Sequence, residues 1–254
     1  MKKLLVIGIG TGHPDQITIE AITALNCADV VFVLDKGEQK ADLTRLRRDI
    51  CERFAASSTL RWVEVPSPVR NASAASYKAG VHAWHTAKEE IFNSLIGTEL
   101  QDGECGAILA WGDPSLYDST IRILQSLAAG PSPQFTFEVV PGISSMQVLA
   151  ARHKIALNTI GEPVLITTGR KLAERIPDDV DTIVVMLDGG AGLEAIAGQD
   201  LEIYWGAYLG SEDEILMSGK LGDVLDEIKR VRAARQAEKG WIMDIYLLRR
   251  RRSD

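Results

Sequence analysis

Short, unbroken apolar runs that each end in a glycine- or proline-rich turn, with helix-length segments between them, constrain this chain more than any other feature. Lys3–Ile7, Asp29–Leu34, Leu60–Val65 and Cys105–Trp111 read as strands. Between them, Gln16–Leu25 places Ile17, Ala21, Ala24 and Leu25 on one helix side, a charged helix covers about 42–54, and Tyr77–Ile96 is a long helix. Strands covered on both faces lose the apolar–polar alternation, so this order predicts a parallel sheet with helices on either side. Three of the turns stand out. Gly8-Ile9-Gly10-Thr11-Gly12-His13-Pro14-Asp15 closes the first strand, and Gly112-Asp113-Pro114-Ser115-Leu116-Tyr117 follows Ala107–Trp111. Pro141-Gly142-Ile143-Ser144-Ser145 follows Phe135–Val140. Strand ends of this kind are where α/β proteins place ligands, because glycine lets another backbone or a ligand come close. Three of them predict a small-molecule site.

The second half follows a different pattern. After a helix over about 119–129, Gly130-Pro131-Ser132-Pro133 marks a break. Strands are expected at 135–140, 163–168, 181–187, 202–209, 213–218 and 241–248, with helices near 143–151 and 221–236. Several of these strands are too close in sequence for helical crossovers and must pair antiparallel. The expectation is therefore two α/β domains, 1–118 with a mainly parallel sheet and 119–254 with a mixed one.

Charge and cysteines narrow the function. The formal net charge is −7, which does not favour nucleic-acid binding through counterion release. No apolar run approaches the ~20 residues of a membrane span, and residues 1–10 read as a strand and glycine loop instead of a signal peptide. Cys27, Cys51 and Cys105 are odd in number and form no Cys-x-x-Cys pair, so reduced, buried thiols in a cytoplasmic protein are expected.

Each loop has a functional and a purely structural reading. Gly8, Gly10 and Gly12, with Asp35 ending the second strand, look like a dinucleotide fingerprint, but the third glycine comes too early and Pro14 removes an amide donor. The loop is then a tight turn or a site lining. Asp113 is either a turn-former beside Pro114 or an acceptor for a ligand amine or ribose. Ser144 and Ser145 are natural N-caps, and the helix start they open would also suit a carboxylate. His82 and His85, three apart on a helix, do not make a metal site alone, and a solvated helix face accounts for them.

Taken together, Val6–Asp15, Gly112–Tyr117 and Pro141–Ser145, in this order and spacing, resemble the tetrapyrrole (precorrin/corrin) methyltransferases across nearly the whole chain. The resemblance implies the class III methyltransferase fold: two α/β/α domains with the ligand cleft between them, as a homodimer. It also implies S-adenosyl-L-methionine as cofactor and S-adenosyl-L-homocysteine as product, and the residues give no reason to expect a metal. Gly10-Thr11-Gly12-His13-Pro14, Asp35-Lys36-Gly37, and Pro66–Arg70 followed by Tyr77 and Trp84-His85 are similar to one branch of the family. That branch methylates precorrin-5 at C1 and releases the C20 acetyl group as acetate in cobalamin biosynthesis. The same fold also serves methyltransferases of other precorrins, diphthamide intermediates and ribosomal RNA.

Carried over by position, the cofactor contacts implied are Gly112, Asp113, Leu116, Ser144, Ser145, Met186, Gly206 and Ala207. The first loop would face the macrocycle. Methyl transfer to an electron-rich ring carbon needs no protein base, but acetate loss needs activated water, for which His13, Asp15, Tyr117 and His85 are candidates. A polyacidic substrate on an acidic protein requires local cations, with Arg45, Arg47, Arg48, Arg70 and Arg152 as candidates and Arg249–Arg252 as a basic tail.

Overall fold

The computed structural model describes residues 1–35, 37, 41–69, 77–131 and 133–250, without the side chains at 41, 77 and 78. Lys36, Arg70, Ser132, Arg251 and Arg252, named above, lie outside the described residues. The chain forms two compact units, Met1–Ile143 and Ser144–Asp254.

The first unit is built on one parallel five-stranded sheet. Its strands are β1 (Lys2–Gly8), β2 (Val30–Asp35), β3 (Arg61–Pro66), β4 (Cys105–Ala110) and β5 (Phe135–Val140), in the order β3-β2-β4-β1-β5. Pairing is parallel throughout. In β1, Leu5 and Ile7 point to one face, Leu4 and Val6 to the other, as the two-residue strand period requires. The first face is covered by α1 (Ile19–Leu25) and α2 (Ala41–Phe54), through Ala21, Leu25, Ile50 and Cys51. The second is covered by α3 (Tyr77–Thr98) and α4 (Thr120–Ala128), through Phe92, Leu95, Ile96, Ile123 and Leu124. Thr18 caps α1 by accepting from the Ala21 amide at 3.0 Å. From the neighbouring strands β1 and β4 the chain leaves in opposite directions, towards β2 and towards β5. That reversal is a topological switch point, where open parallel sheets hold ligands.

Phe135–Val140 does not begin the second domain. It pairs in parallel with β1, from Lys2↔Phe135 to Ile7↔Val140, and α4 is the crossover that parallel pairing needs. The Gly130–Pro133 segment thus ends a crossover, and the division falls between Ile143 and Ser144 instead of at 118. As an edge strand β5 is less completely covered than β4, whose six residues are all buried.

The second unit has a mixed sheet of β6 (Val164–Thr168), β7 (Thr182–Met186), β8 (Leu201–Ala207), β9 (Ile215–Lys220) and β10 (Asp244–Arg250). The order is β6-β7-β10-β8-β9, with β6 and β7 parallel and the other pairs antiparallel. Its helices are α5 (Ser145–His153), α6 (Gly169–Glu174), α7 (Ala191–Ala195) and α8 (Leu221–Lys239). Fully buried Trp205 and Tyr246 centre the core, against Leu225 and Ile228 of α8. The short helices α6 and α7 had no sequence signature, since five or six residues cannot display a helical period.

Cys51 and Cys105 are buried, and burial pushes each thiol up to about 11. Cys27 is exposed, against expectation. Among the described residues no helix is long and apolar enough to cross a membrane.

Candidate functional site

The three sequence motifs of the first unit converge at the carboxyl ends of β1, β4 and β5, and glycine is what lets them do so. A Cβ on Gly142 would lie 2.1 Å from the Gly112 carbonyl oxygen and 2.8 Å from the Gly8 backbone. A Cβ on Gly8 would lie 2.6 Å from the Gly142 nitrogen. These are contacts between main chains, so no side chain can move aside. Gly10 and Gly112 add an antiparallel bridge, with the Gly112 amide donating to the Gly10 carbonyl at 2.7 Å and the return bond at 3.2 Å. Gly10, Gly12 and Gly112 all have positive φ (73°, 110° and 66°).

Asp113 fastens two of these loops together. Its Oδ2 accepts from the Gly142 amide at 2.9 Å, and its Oδ1 accepts from the Ser115 amide at 2.8 Å and from the Ser115 hydroxyl. Burial alone would push the carboxyl up, but these hydrogen bonds outweigh it and hold the group below the usual carboxylate range. The turn-forming and ligand-accepting readings are compatible, because Oδ2 keeps a lone pair. Leu116 is half-buried in the same turn, its amide donating to the Asp113 carbonyl at 3.2 Å. Tyr117 follows with φ of 54°, a backbone strain of about 1–3 kcal/mol for a non-glycine residue.

In the second unit Ser144 is the N-cap of α5, as expected, and is buried. The Gln147 Oε1 accepts from both its amide and its hydroxyl at 2.7 Å, while Ser145 is half-buried beside it. Met186 ends β7 half-buried, followed by exposed Leu187 at φ 53°. Gly206 and Ala207 were named by position as cofactor contacts. They lie in the interior strand β8, paired on both sides, and a Cβ on Gly206 would press within 2.8 Å of Leu149 and Leu209. Ala207 has no exposed surface.

A polar core beside Met186 escaped sequence reasoning. Buried Asp188 accepts at Oδ1 from the Gly190 and Gly192 amides (2.9 and 3.0 Å) and at Oδ2 from the Leu193 amide (3.0 Å) and the Tyr246 hydroxyl (2.8 Å). Arg232 donates to the Asp188 carbonyl (2.6 Å) and to Asp244 (2.9 Å), which also accepts from the Trp205 indole (3.1 Å). Burial raises both the Tyr246 hydroxyl and the Asp244 carboxyl. The only local signal was Asp188-Gly189-Gly190, because its partners lie up to 58 residues away.

Comparison with known proteins decides the family. A profile of the tetrapyrrole (corrin/porphyrin) methylases matches residues 3–225. This chain is a tetrapyrrole methylase. It is 49% identical to the precorrin-6A synthase [deacetylating] of a Sinorhizobium species, over 98% of this chain and 96% of that protein. Among solved structures, CobF of Corynebacterium diphtheriae, a protein related to cobalamin synthesis, superposes with a TM-score of 0.83 at 37% identity, covering 98% of both chains. The uroporphyrin-III C-methyltransferase of Thermus thermophilus, solved with S-adenosyl homocysteine, shares the fold at 17% identity and a TM-score of 0.56, over 97% of this chain and 91% of that one.

In this methylase the candidate bases occupy distinct settings. The half-buried His13 accepts the Asp15 amide at Nδ1 (3.2 Å), so the ring as held offers Nε2–H, a donor instead of a base. Asp15 is exposed and ion-paired to Arg53 at 2.8 Å. Burial raises the Tyr117 hydroxyl, which keeps its proton at neutral pH. Of the arginines, Arg45 pairs with Asp42, Arg48 lies over Trp62 near Glu64, and Arg152 pairs with Glu214. Arg47 spans α2 and β4, donating to the Leu43 and Leu109 carbonyls (3.0 and 3.1 Å) beside Trp111. Arg249 and Arg250 are not a frayed tail: they end β10 and donate to the carbonyls of Ala156 and Val180. Among the described residues no group of three or more metal-binding side chains occurs.

Proposed function

We propose that this methylase transfers a methyl group to C1 of precorrin-5 and releases the C20 acetyl group as acetate, the reaction of a precorrin-6A synthase (deacetylating). The single observation that carries the reading is 49% identity to such an enzyme over 98% of the chain, with all three strand-end motifs inside the matched span. The protein would work in the cytoplasm as a homodimer.

The residues present suit S-adenosyl-L-methionine. Asp113 Oδ2 retains a lone pair for an ammonium group, and the positive N-terminal end of α5, at Ser145, favours a carboxylate. Leu116 and Met186 offer half-buried apolar surface. When bound, this cofactor supplies an electrophilic methyl group, and S-adenosyl-L-homocysteine remains.

The chain's own contribution to methyl transfer is orientation and exclusion of water, since the ring carbon is already nucleophilic. In acetate loss a water oxygen bonds to the acyl carbon, the bond from that carbon to the ring breaks, and its electron pair stays with the ring until a proton arrives. His13 Nε2–H and the Tyr117 hydroxyl are donors suited to the developing acyl oxyanion. Neither is held as a base, so the water's proton leaves to another acceptor.

Incubation with methyl-labelled S-adenosyl-L-methionine and precorrin-5, following pigment mass and acetate together, tests the reading. One label and one acetate per pigment are expected. Label without acetate would reassign the substrate, and calorimetric binding of NADH in place of S-adenosyl-L-homocysteine would discard the methylase chemistry for this chain.

A further inference from the structure

Lys88 of α3 is a buried cation, 8% exposed, and among the described residues it has no carboxylate within ion-pair distance. Its Nζ donates to the Ser119 hydroxyl at 2.9 Å and lies 4.6 Å from the centre of the Trp84 ring, over its face. Among the described residues one of the three ammonium donors is used, to Ser119, so the group is largely desolvated and held in place with donors left over. The surroundings are cationic too. His85 stacks at a tilt on Trp84, 5.4 Å between centroids, and Arg122 of α4 is exposed with no ion pair among the described residues. Burial, then the charges of Lys88 and Arg122, lower the His85 imidazole, opposed by Glu89. Asp118 is the carboxylate that acts on Lys88, and its Oδ1 is already taken by the Thr120 amide at 2.6 Å.

Position gives the cluster meaning. Ser119 is two residues past Tyr117 in the loop leaving β4, and the Trp84 indole donates at 2.8 Å to the carbonyl of Pro68, just past β3. Both contacts lie at the end of the first sheet where Gly8, Gly112 and Gly142 meet. The arginines named from sequence are mostly spoken for by carboxylates or main-chain carbonyls, whereas Lys88 is not.

We propose that Lys88, flanked by His85 and Arg122, binds a carboxylate of the polyacidic tetrapyrrole. This rests on the methylase reading above and adds to it the residue that anchors the substrate. The test titrates wild type, Lys88→Met, Lys88→Arg and Arg122→Gln with uroporphyrin III, an octacarboxylate probe, by fluorescence quenching, and titrates each with S-adenosyl-L-homocysteine by calorimetry. Lys88→Met is expected to weaken porphyrin binding about tenfold or more, the usual scale of a lost charged hydrogen bond. Lys88→Arg restores most of it, Arg122→Gln costs less, and the affinity for the homocysteine compound stays the same in all four. Unchanged porphyrin affinity in Lys88→Met, or no porphyrin binding by a wild type that still binds the homocysteine compound, overturns the proposal. If Lys88→Met loses both ligands through misfolding, Arg122→Gln decides, and full porphyrin affinity there overturns it. A wild type that binds porphyrin but not the homocysteine compound sinks the methylase reading separately.

Discussion

The strand ends of the first unit and the turn after β7 in the second both pack a glycine against a fixed neighbour, but they use different material. Around Gly8, Gly112 and Gly142 the neighbour is main chain, and a single carboxylate, Asp113, ties the loops. Around Gly169 and Gly192 the neighbour is a buried side-chain network: Cβ atoms there would fall 2.1 Å from Asp188 and 2.5 Å from the Tyr246 hydroxyl. Main chain against main chain leaves loop surface unencumbered by side chains, as a ligand site needs. A saturated carboxylate makes a rigid plug, since every lone pair is occupied and each partner loss leaves a buried orphan.

The sharpest way to break this contrast is Gly142→Ala. A main-chain neighbour cannot rotate away, so the cost is expected to be about 3 kcal/mol or more, enough to lower the melting temperature markedly or abolish folding of the first unit. A melting temperature within a degree or two of wild type, by scanning calorimetry, would mean that the loops can spread. Tyr246→Phe comes next. It removes one of four donors from Asp188 while leaving the ring volume, and about 1–3 kcal/mol is expected from denaturant unfolding. No change would show that the network is redundant instead of saturated.

The same contrast explains what could be read from sequence. Main-chain crowding writes itself locally, as Gly and Pro at strand ends, so the three loops and the parallel first sheet were legible. The Asp188 network is assembled from residues 188, 232, 244 and 246, which share no local pattern, and it stayed hidden. Gly206 and Ala207 were carried over by position, and the packing of Leu149 and Leu209 around Gly206 has no local signal in the sequence. The boundary was misplaced for a related reason: the partner of β5 is β1, some 130 residues earlier, and nothing local to Gly130–Pro133 records it. Lys88 sat unremarked in a helix, its burial set by Trp84 and by Ser119 across the sheet end.

Asp113→Asn sharpens the comparison at smaller scale. Hydrogen bonds hold this carboxyl below its ordinary value of 3.8 in the folded chain. A depressed carboxyl stabilises the fold above its unfolded value, and that contribution is lost as pH falls through the lower, folded value. The wild type should therefore exceed Asp113→Asn by about 1 kcal/mol at neutral pH, with the gap closing below pH 3.8. The variant should also bind S-adenosyl-L-homocysteine more weakly. Parallel stability curves across that acid range would remove the charge from the account of how the loops are joined.

Gly222→Ala carries the smallest effect and tests the premise itself. Gly222 lies in the first turn of α8 at ordinary φ, and a Cβ there meets nothing within 4 Å. Alanine should be neutral or stabilising by up to about 1 kcal/mol, because it restricts the unfolded chain and favours the helix. Set beside Gly142→Ala, it separates crowding from glycine's flexibility. If both substitutions lower stability alike, the close approach at the strand ends is not what makes Gly142 necessary. If only Gly142→Ala does, the main-chain contacts that gather the three loops are the reason the first unit can present them together.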